Sequence, residues 1–198
     1  MSQVQPRFEF RIWGEDLDDV ASRVRSVADQ ALGRVETSET YLVVLDRDDI
    51  NPKIRADLLD IKALVAVVEG FEQWKPWRKD EFPLSAEALD RVLVKLGGYR
   101  VHLESEVYSV GDFVDEVVRS HPLLHEADVH KYRSRYSAAG CLAEVADVSI
   151  DGHELATVAI ESEDIAGLAA LRYRLGLEGH LNVNYPRAIK TTLGLEIP

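Results

Sequence analysis

The sequence predicts an α+β protein in which an antiparallel sheet or barrel carries attached helices, and three features lead to that class. Three strand-like runs, 130–137, 141–151 and 154–162, are joined by Ala139-Gly140 and Asp151-Gly152, dipeptides that suit hairpin turns. Helical stretches fall between hairpins and do not alternate strictly with strands, which disfavours a parallel doubly wound sheet. Neither a glycine-rich phosphate loop nor a G-x-x-x-x-G-K-[ST] run occurs, so a P-loop or dinucleotide fold has no support. The 198 residues contain no repeat or Gly/Pro/Ser linker and are expected to form a single domain, 1–198.

The elements follow in order. Phe8, Phe10 and Ile12 alternate with Arg7, Glu9 and Arg11, so residues 7–13 read as a strand. Leu17, Val20, Val24, Val27 and Ala28 recur at helical spacing, and Glu15 and Asp16 suit a first turn, which predicts a helix over 14–32. The β-branched run 40–46 is a strand, and 52–68 is one or two more. Residues 71–84, "FEQWKPWRKDEFPL", read as a loop with aromatic anchors. Residues 85–98 form a helix that Ser85 can cap and Gly97 can end. Residues 99–108 alternate again as a strand, and 110–121 is a short helix stopped near Pro122. After the three hairpin strands come helices over 163–177 and 185–194, the second with Pro186 near its start.

Composition narrows the function. The formal net charge of −12 argues against non-specific binding to nucleic acid or to an anionic membrane. The single cysteine, Cys141, excludes an intramolecular disulfide and a multi-cysteine zinc site, and reads best as a small buried strand residue. The first ten residues hold no apolar run of signal-peptide type, and no stretch approaches the ~18 apolar residues of a membrane span. A cytoplasmic protein without a membrane partner is expected. His102, His121, His125 and His130 make no metal-binding pattern.

The basic residues are placed more tellingly. Arg7 and Arg11, Lys53 and Arg55, Lys62, Arg100, and Lys131, Arg133 and Arg135 all lie in predicted strands at period-two spacing, with His102 two residues beyond Arg100. Such a set on one open sheet face would repel across strands. Few carboxylates are expected on these strands. A closed barrel with a cationic interior, suited to phosphate oxygens, explains the pattern better. Glu9, Asp147 and Glu161 supply carboxylates that could converge on Mg²⁺ or Mn²⁺.

In their order, these motifs resemble the CYTH-domain family of the triphosphate tunnel metalloenzyme superfamily. "RFEFR" takes the place of an ExExK strand, "KIR" of R-x-R, "DIK" of a lone lysine and "KYRSRY" of K-x-R. "EVADV" takes the place of the acidic strand, and "VAIESEDIAGLAALRYRLGL" of the E-x-E strand with its helix. "NVNYPRAIKTTLG" is similar to the closing tyrosine-containing segment. The resemblance implies an eight-stranded antiparallel tunnel with peripheral helices, in which the basic residues hold a phosphate chain. It further implies catalytic roles for Glu9 and Lys62, and Mg²⁺ or Mn²⁺ on Glu9, Asp147 and Glu161.

The chain departs from the pattern at Arg7 and Ala159, which stand where acids are expected. A guanidinium beside a divalent ion costs about 4 kcal/mol per unit of metal charge at ~4 Å and an effective dielectric of ~20. Three functions therefore stay open: a metal-dependent triphosphate hydrolase, with ATP cyclisation a lesser alternative; a non-catalytic binder of triphosphate, nucleotide or polyphosphate; and a structural or protein-interaction barrel. The partner expected is a small phosphorylated ligand, and a homodimer is left open.

Overall fold

Strand pairing in the computed structural model, which describes residues 6–197, makes a closed antiparallel barrel. Its strands are β1 (Phe8–Gly14), β2 (Gln30–Val44), β3 (Ile50–Arg55), β4 (Leu58–Val68), β5 (Phe71–Glu81), β8 (Leu124–Ala138), β9 (Cys141–Ile150) and β10 (His153–Ser162). Their spatial order is β1-β10-β9-β8-β2-β3-β4-β5. A separate ribbon pairs β6 (Leu84–Ser85) with β7 (Val107–Tyr108). Five helices surround the barrel among the described residues: α1 (Asp18–Val27), α2 (Ala86–Gly97), α3 (Val110–Asp112), α4 (Ile165–Arg174) and α5 (Tyr185–Leu193). A π-helical turn, Phe113–Val118, continues α3.

Two compact units divide the described chain, one of 6–38, 64–75 and 129–184, the other of 39–63, 76–128 and 185–197. In the first unit, Phe10 lies opposite Ile160 and Ile12 opposite Val158 across β1 and β10. Ala143 and Val145 of β9 continue the same rows. The apolar period of two thus gathers one face, which packs with Val20 and Val24 of α1 and Leu168 and Leu171 of α4. Burying each such side chain contributes about 1.5–3 kcal/mol. The hairpins β8–β9 and β9–β10 turn at Ala139-Gly140 (φ 50° and 77°) and Asp151-Gly152 (φ 47° and 84°). Two successive positive φ values match the twist of the flanking strands.

In the second unit, Ile54 faces Leu59 and Pro52 faces Ile61 across β3 and β4. Their face packs with Leu89, Val92, Leu93 and Leu96 of α2 and with Phe113 and Val117. Ser85 caps α2 by accepting from the Ala88 amide at 3.2 Å. Gly98, not Gly97, takes the left-handed position that ends α2, at φ 72°. Gly97 instead leaves room for the Tyr99 ring, which a Cβ would strike.

Three sequence expectations are corrected. The helix over 14–32 stops at Val27, because Ala28 turns extended and β2 begins at Gln30. The Asp29 amide donates to the Ser137 carbonyl (2.8 Å), and its Oδ2 accepts from the Ala139 amide (2.7 Å). Residues 71–84 are not a loop. Phe71 enters the first core, and Glu72 and Gln73 pair with β1, so tertiary pairing overrides a poor local strand signal. Residues 99–108 are not a strand beyond Val107–Tyr108. Tyr99 and Tyr108 bury while the exposed Arg100 sits on irregular chain, which removes Arg100 from the strand-borne cations.

His121 packs on the Tyr99 ring at 4.3 Å, and its Nδ1 accepts from the Leu123 amide at 3.2 Å. Burial holds its pKa below the usual 6.5, with Asp46 opposing. The unfolded chain therefore binds the proton more readily. This stabilisation is fully present above pH 6.5 and is lost as pH falls through 6.5 toward the folded value. The expected result is that His121→Gln flattens part of the stability–pH curve below pH 6.5, measured by urea unfolding at several pH values.

Candidate functional site

The face of the first unit that carries no helix is built from the alternate residues of β1, β10, β9 and β8. Cross-strand register sets its rows. Glu9 lies opposite Glu161 on one side and Glu72 on the other. Arg11 lies opposite Ala159, which faces Glu144, which faces Arg135. Trp13 faces Thr157, then Ala146, then Arg133, and Lys131 faces Val148. In a closed barrel with helices around it, this helix-free face is the inner one.

Arg11 is the hub. Its side chain is 4% exposed. Nε donates to Glu9 Oε1 at 2.9 Å, and Nη1 donates to Thr157 Oγ1 at 3.3 Å. Both Nη atoms reach Glu144 Oε1 at 3.5 Å. Thr157 in turn donates to the Ile12 carbonyl at 2.7 Å, which orients its oxygen. The backbone is held as well: the Arg11 amide donates to Asn182 Oδ1 (2.8 Å), and its carbonyl accepts from the Val183 amide (2.9 Å). Asn182 also donates to the carbonyls of Glu9 and Gly70, at 3.1 Å each. The segment before α5 thus clamps the strand that bears Glu9 and Arg11.

The surrounding charges are paired in sequence. Arg133 Nη1 stands 3.7 Å from Glu144 Oε2. Arg7 Nη1 stands 3.9 Å from Glu161 Oε2. Glu72 accepts from Trp74 Nε1 (3.1 Å) and, on both oxygens, from Asn184 Nδ2 (3.2 Å). Arg135 is exposed and Lys131 is buried on the same face. The expectation that few carboxylates share these strands is therefore corrected: Glu9, Glu72, Glu144 and Glu161 lie among the cations. Glu144 escaped notice in the sequence although its alternation with Leu142 and Ala146 was visible. Only register assigns it to Arg11 and Arg133.

The second unit has its own polar face. Tyr41 lies opposite Lys53 and Lys53 opposite Asp60, with Lys62 facing Asn51 and Arg55 facing Leu58. Glu39, whose carboxylate is fully buried, accepts from Lys53 Nζ at 3.0 Å and from Arg55 Nε at 2.9 Å. Burial pulls the Lys53 pKa below 10.5. The Glu39 charge and hydrogen bond oppose that shift, and the nearby Arg55 and Lys62 add to it. Tyr185 of α5 stacks on Tyr41 with ring centroids 5.3 Å apart. The sequence assigned nothing to Glu39.

The structure separates the three carboxylates expected to hold Mg²⁺ or Mn²⁺. Asp147 pairs opposite Ala156 and Tyr132, so it points to the helix side, while Glu9 and Glu161 point away from it. The apolar flanks Ala146 and Val148 concealed this, because both are buried whichever way the strand faces. The carboxylates that do share the face are already engaged, and among the described residues no group of three or more His, Cys, Asp or Glu is arranged to hold a metal ion. The residues present do not fit a divalent ion as the resemblance implies.

Comparison with known proteins shows the fold. No family model matches the chain, and no curated protein matches it. Among solved structures it is similar to a conserved hypothetical protein from Pyrococcus furiosus, with 17% identity over 91% of this chain and 97% of that one (TM-score 0.51). It is also similar to HpAC1 from Hippeastrum, a candidate adenylyl cyclase with a dominant triphosphatase activity. That likeness has 12% identity over 94% of this chain and 96% of that one (TM-score 0.53). At these identities the likenesses bear on the fold alone. Among the described residues no helix is long and apolar enough to cross a membrane.

Proposed function

We propose that the protein binds a phosphate-chain anion, such as inorganic triphosphate, a nucleoside triphosphate or polyphosphate, on the helix-free face of β1, β8, β9 and β10. The observation that carries this reading is the loose hold of Glu144 on its cations. It stands at 3.5 Å from Arg11 and 3.7 Å from Arg133, against about 2.7–2.9 Å for a well-formed charge-assisted hydrogen bond. Arg133 Nε is buried and has no hydrogen-bond partner. Donor capacity thus remains on Arg133 for phosphate oxygens, with Arg135 exposed on the same face. Each lost charge-assisted contact is worth about 1.5–3 kcal/mol, so Arg133→Met and Arg135→Met should each weaken triphosphate binding by roughly tenfold or more in calorimetric titration. Absence of binding to triphosphate, ATP and polyphosphate would refute the reading. A stable oligomer found together with that absence would favour an interaction barrel.

Hydrolysis of the bound chain is the second reading, supported by the fold likeness to the Hippeastrum triphosphatase. It assigns Glu9 and Lys62 catalytic roles. Its measurement is phosphate release from triphosphate and ATP with Mg²⁺ or Mn²⁺, with Glu9→Ala as the inactive control. No release under any of these conditions would leave binding alone.

A further inference from the structure

We infer that Arg11 and Arg7 take the place of a divalent cation at the row of glutamates, so that the phosphate chain is held without metal. The inference rests on the binding reading for its ligand and on the structure for its charges. Glu161, Glu9 and Glu72 are cross-strand neighbours on β10, β1 and β5, yet they are not arranged to hold a metal ion. Each carboxylate is already served by the protein. Glu161 has the Arg7 guanidinium at 3.9 Å, Glu9 has Arg11 Nε at 2.9 Å, and Glu72 has the Trp74 and Asn184 donors.

A metal ion would need these oxygens at about 2.0–2.2 Å and would sit beside two fixed guanidinium charges. Arg11 does more than fill a gap. Its planar fork spans Glu9 and Glu144, and Thr157 fixes its orientation. It bridges two carboxylates, as a divalent cation would, but it is covalently part of β1 and is not removed by a chelator. The metal-bridged contact to the phosphate chain then becomes a direct guanidinium–phosphate contact.

Two measurements on the full chain test this. In the first, Mn²⁺ is titrated into the protein without any phosphate and the free-ion electron paramagnetic resonance signal is followed. The signal should stay undiminished at equimolar protein, and a stoichiometric loss would overturn the inference. In the second, inorganic triphosphate is titrated calorimetrically in EDTA and again in Mg²⁺. Binding in EDTA at least as tight as in Mg²⁺ is expected. Binding that requires Mg²⁺ would overturn the inference and leave the binding reading intact. No binding in either buffer would overturn the binding reading, and this inference with it.

Discussion

Arg11→Met should lower the stability of the protein by about 3–5 kcal/mol, the usual cost of removing one partner from a buried ion pair. The guanidinium is nearly inaccessible and serves Glu9, Glu144 and Thr157 at once. Methionine fills much of the volume, so the loss would come from the two carboxylates that lose the Arg11 guanidinium and not from a cavity. Neither carboxylate is well solvated: the Glu9 side chain is 22% exposed and that of Glu144 15%. A domain of this size loses about 2–4 °C of Tm per kcal/mol, so a fall of roughly 10 °C is expected. Urea unfolding with an unchanged m-value would confirm a native-state effect. Glu144 keeps Arg133 at 3.7 Å, so Glu9→Gln rather than Glu144→Gln should recover part of the loss in the same background. A Tm within a degree or two of wild type would show that the network contributes little.

Glu39→Ala should cost a similar amount, about 3–5 kcal/mol, in the second unit. Its carboxylate is fully buried and joins Lys53 to Arg55. Removing it leaves two like charges close together, one of them on a lysine whose pKa burial already depresses. Glu39 is among the groups that raise that pKa, so its loss would lower it further. The sign of the pH effect follows. A lysine with a folded pKa below its unfolded 10.5 destabilises the fold most below the folded value. That penalty is relieved as pH rises from the folded value toward 10.5. The deficit of Glu39→Ala relative to wild type should therefore shrink at alkaline pH. A deficit that does not change with pH would mean that Lys53 is not the group in distress.

Much of the barrel could be read from local pattern. The alternation in β1 is strict, and Ala139-Gly140 and Asp151-Gly152 stand where two-residue turns require positive φ. The elements that were misread share one cause, which is that their own residues do not decide their state. "FEQWKPW" carries Lys75 and Pro76 against the strand state and becomes β5 because β4 and β1 flank it in the barrel. "YRVHLESEVY" alternates well and yet is irregular over 99–106, because buried Tyr99 anchors its start and only Val107–Tyr108 find a partner strand. Ala28 ends α1 although the helical spacing continues, because Asp29 is held by β8 and the turn that follows it.

The candidate site divides in the same way. The recurrence of basic residues at period two identified Arg7, Arg11, Lys53, Arg55, Lys62, Lys131, Arg133 and Arg135 as face-sharing, and each keeps its strand or strand-end position. Arg100 fell away with the strand that was to carry it. The sequence by itself determined the alternation, the turns and the unusual charge of the strands, all properties of residues one to four apart. Only the tertiary structure decided that Glu144 meets Arg11 and Arg133, that Glu39 holds Lys53 and Arg55, and that Asp147 faces the helices. Those outcomes depend on register and facing: one residue of slip in β9 would exchange Glu144 for Val145 and Asp147 for Val148, and no single strand carries that information.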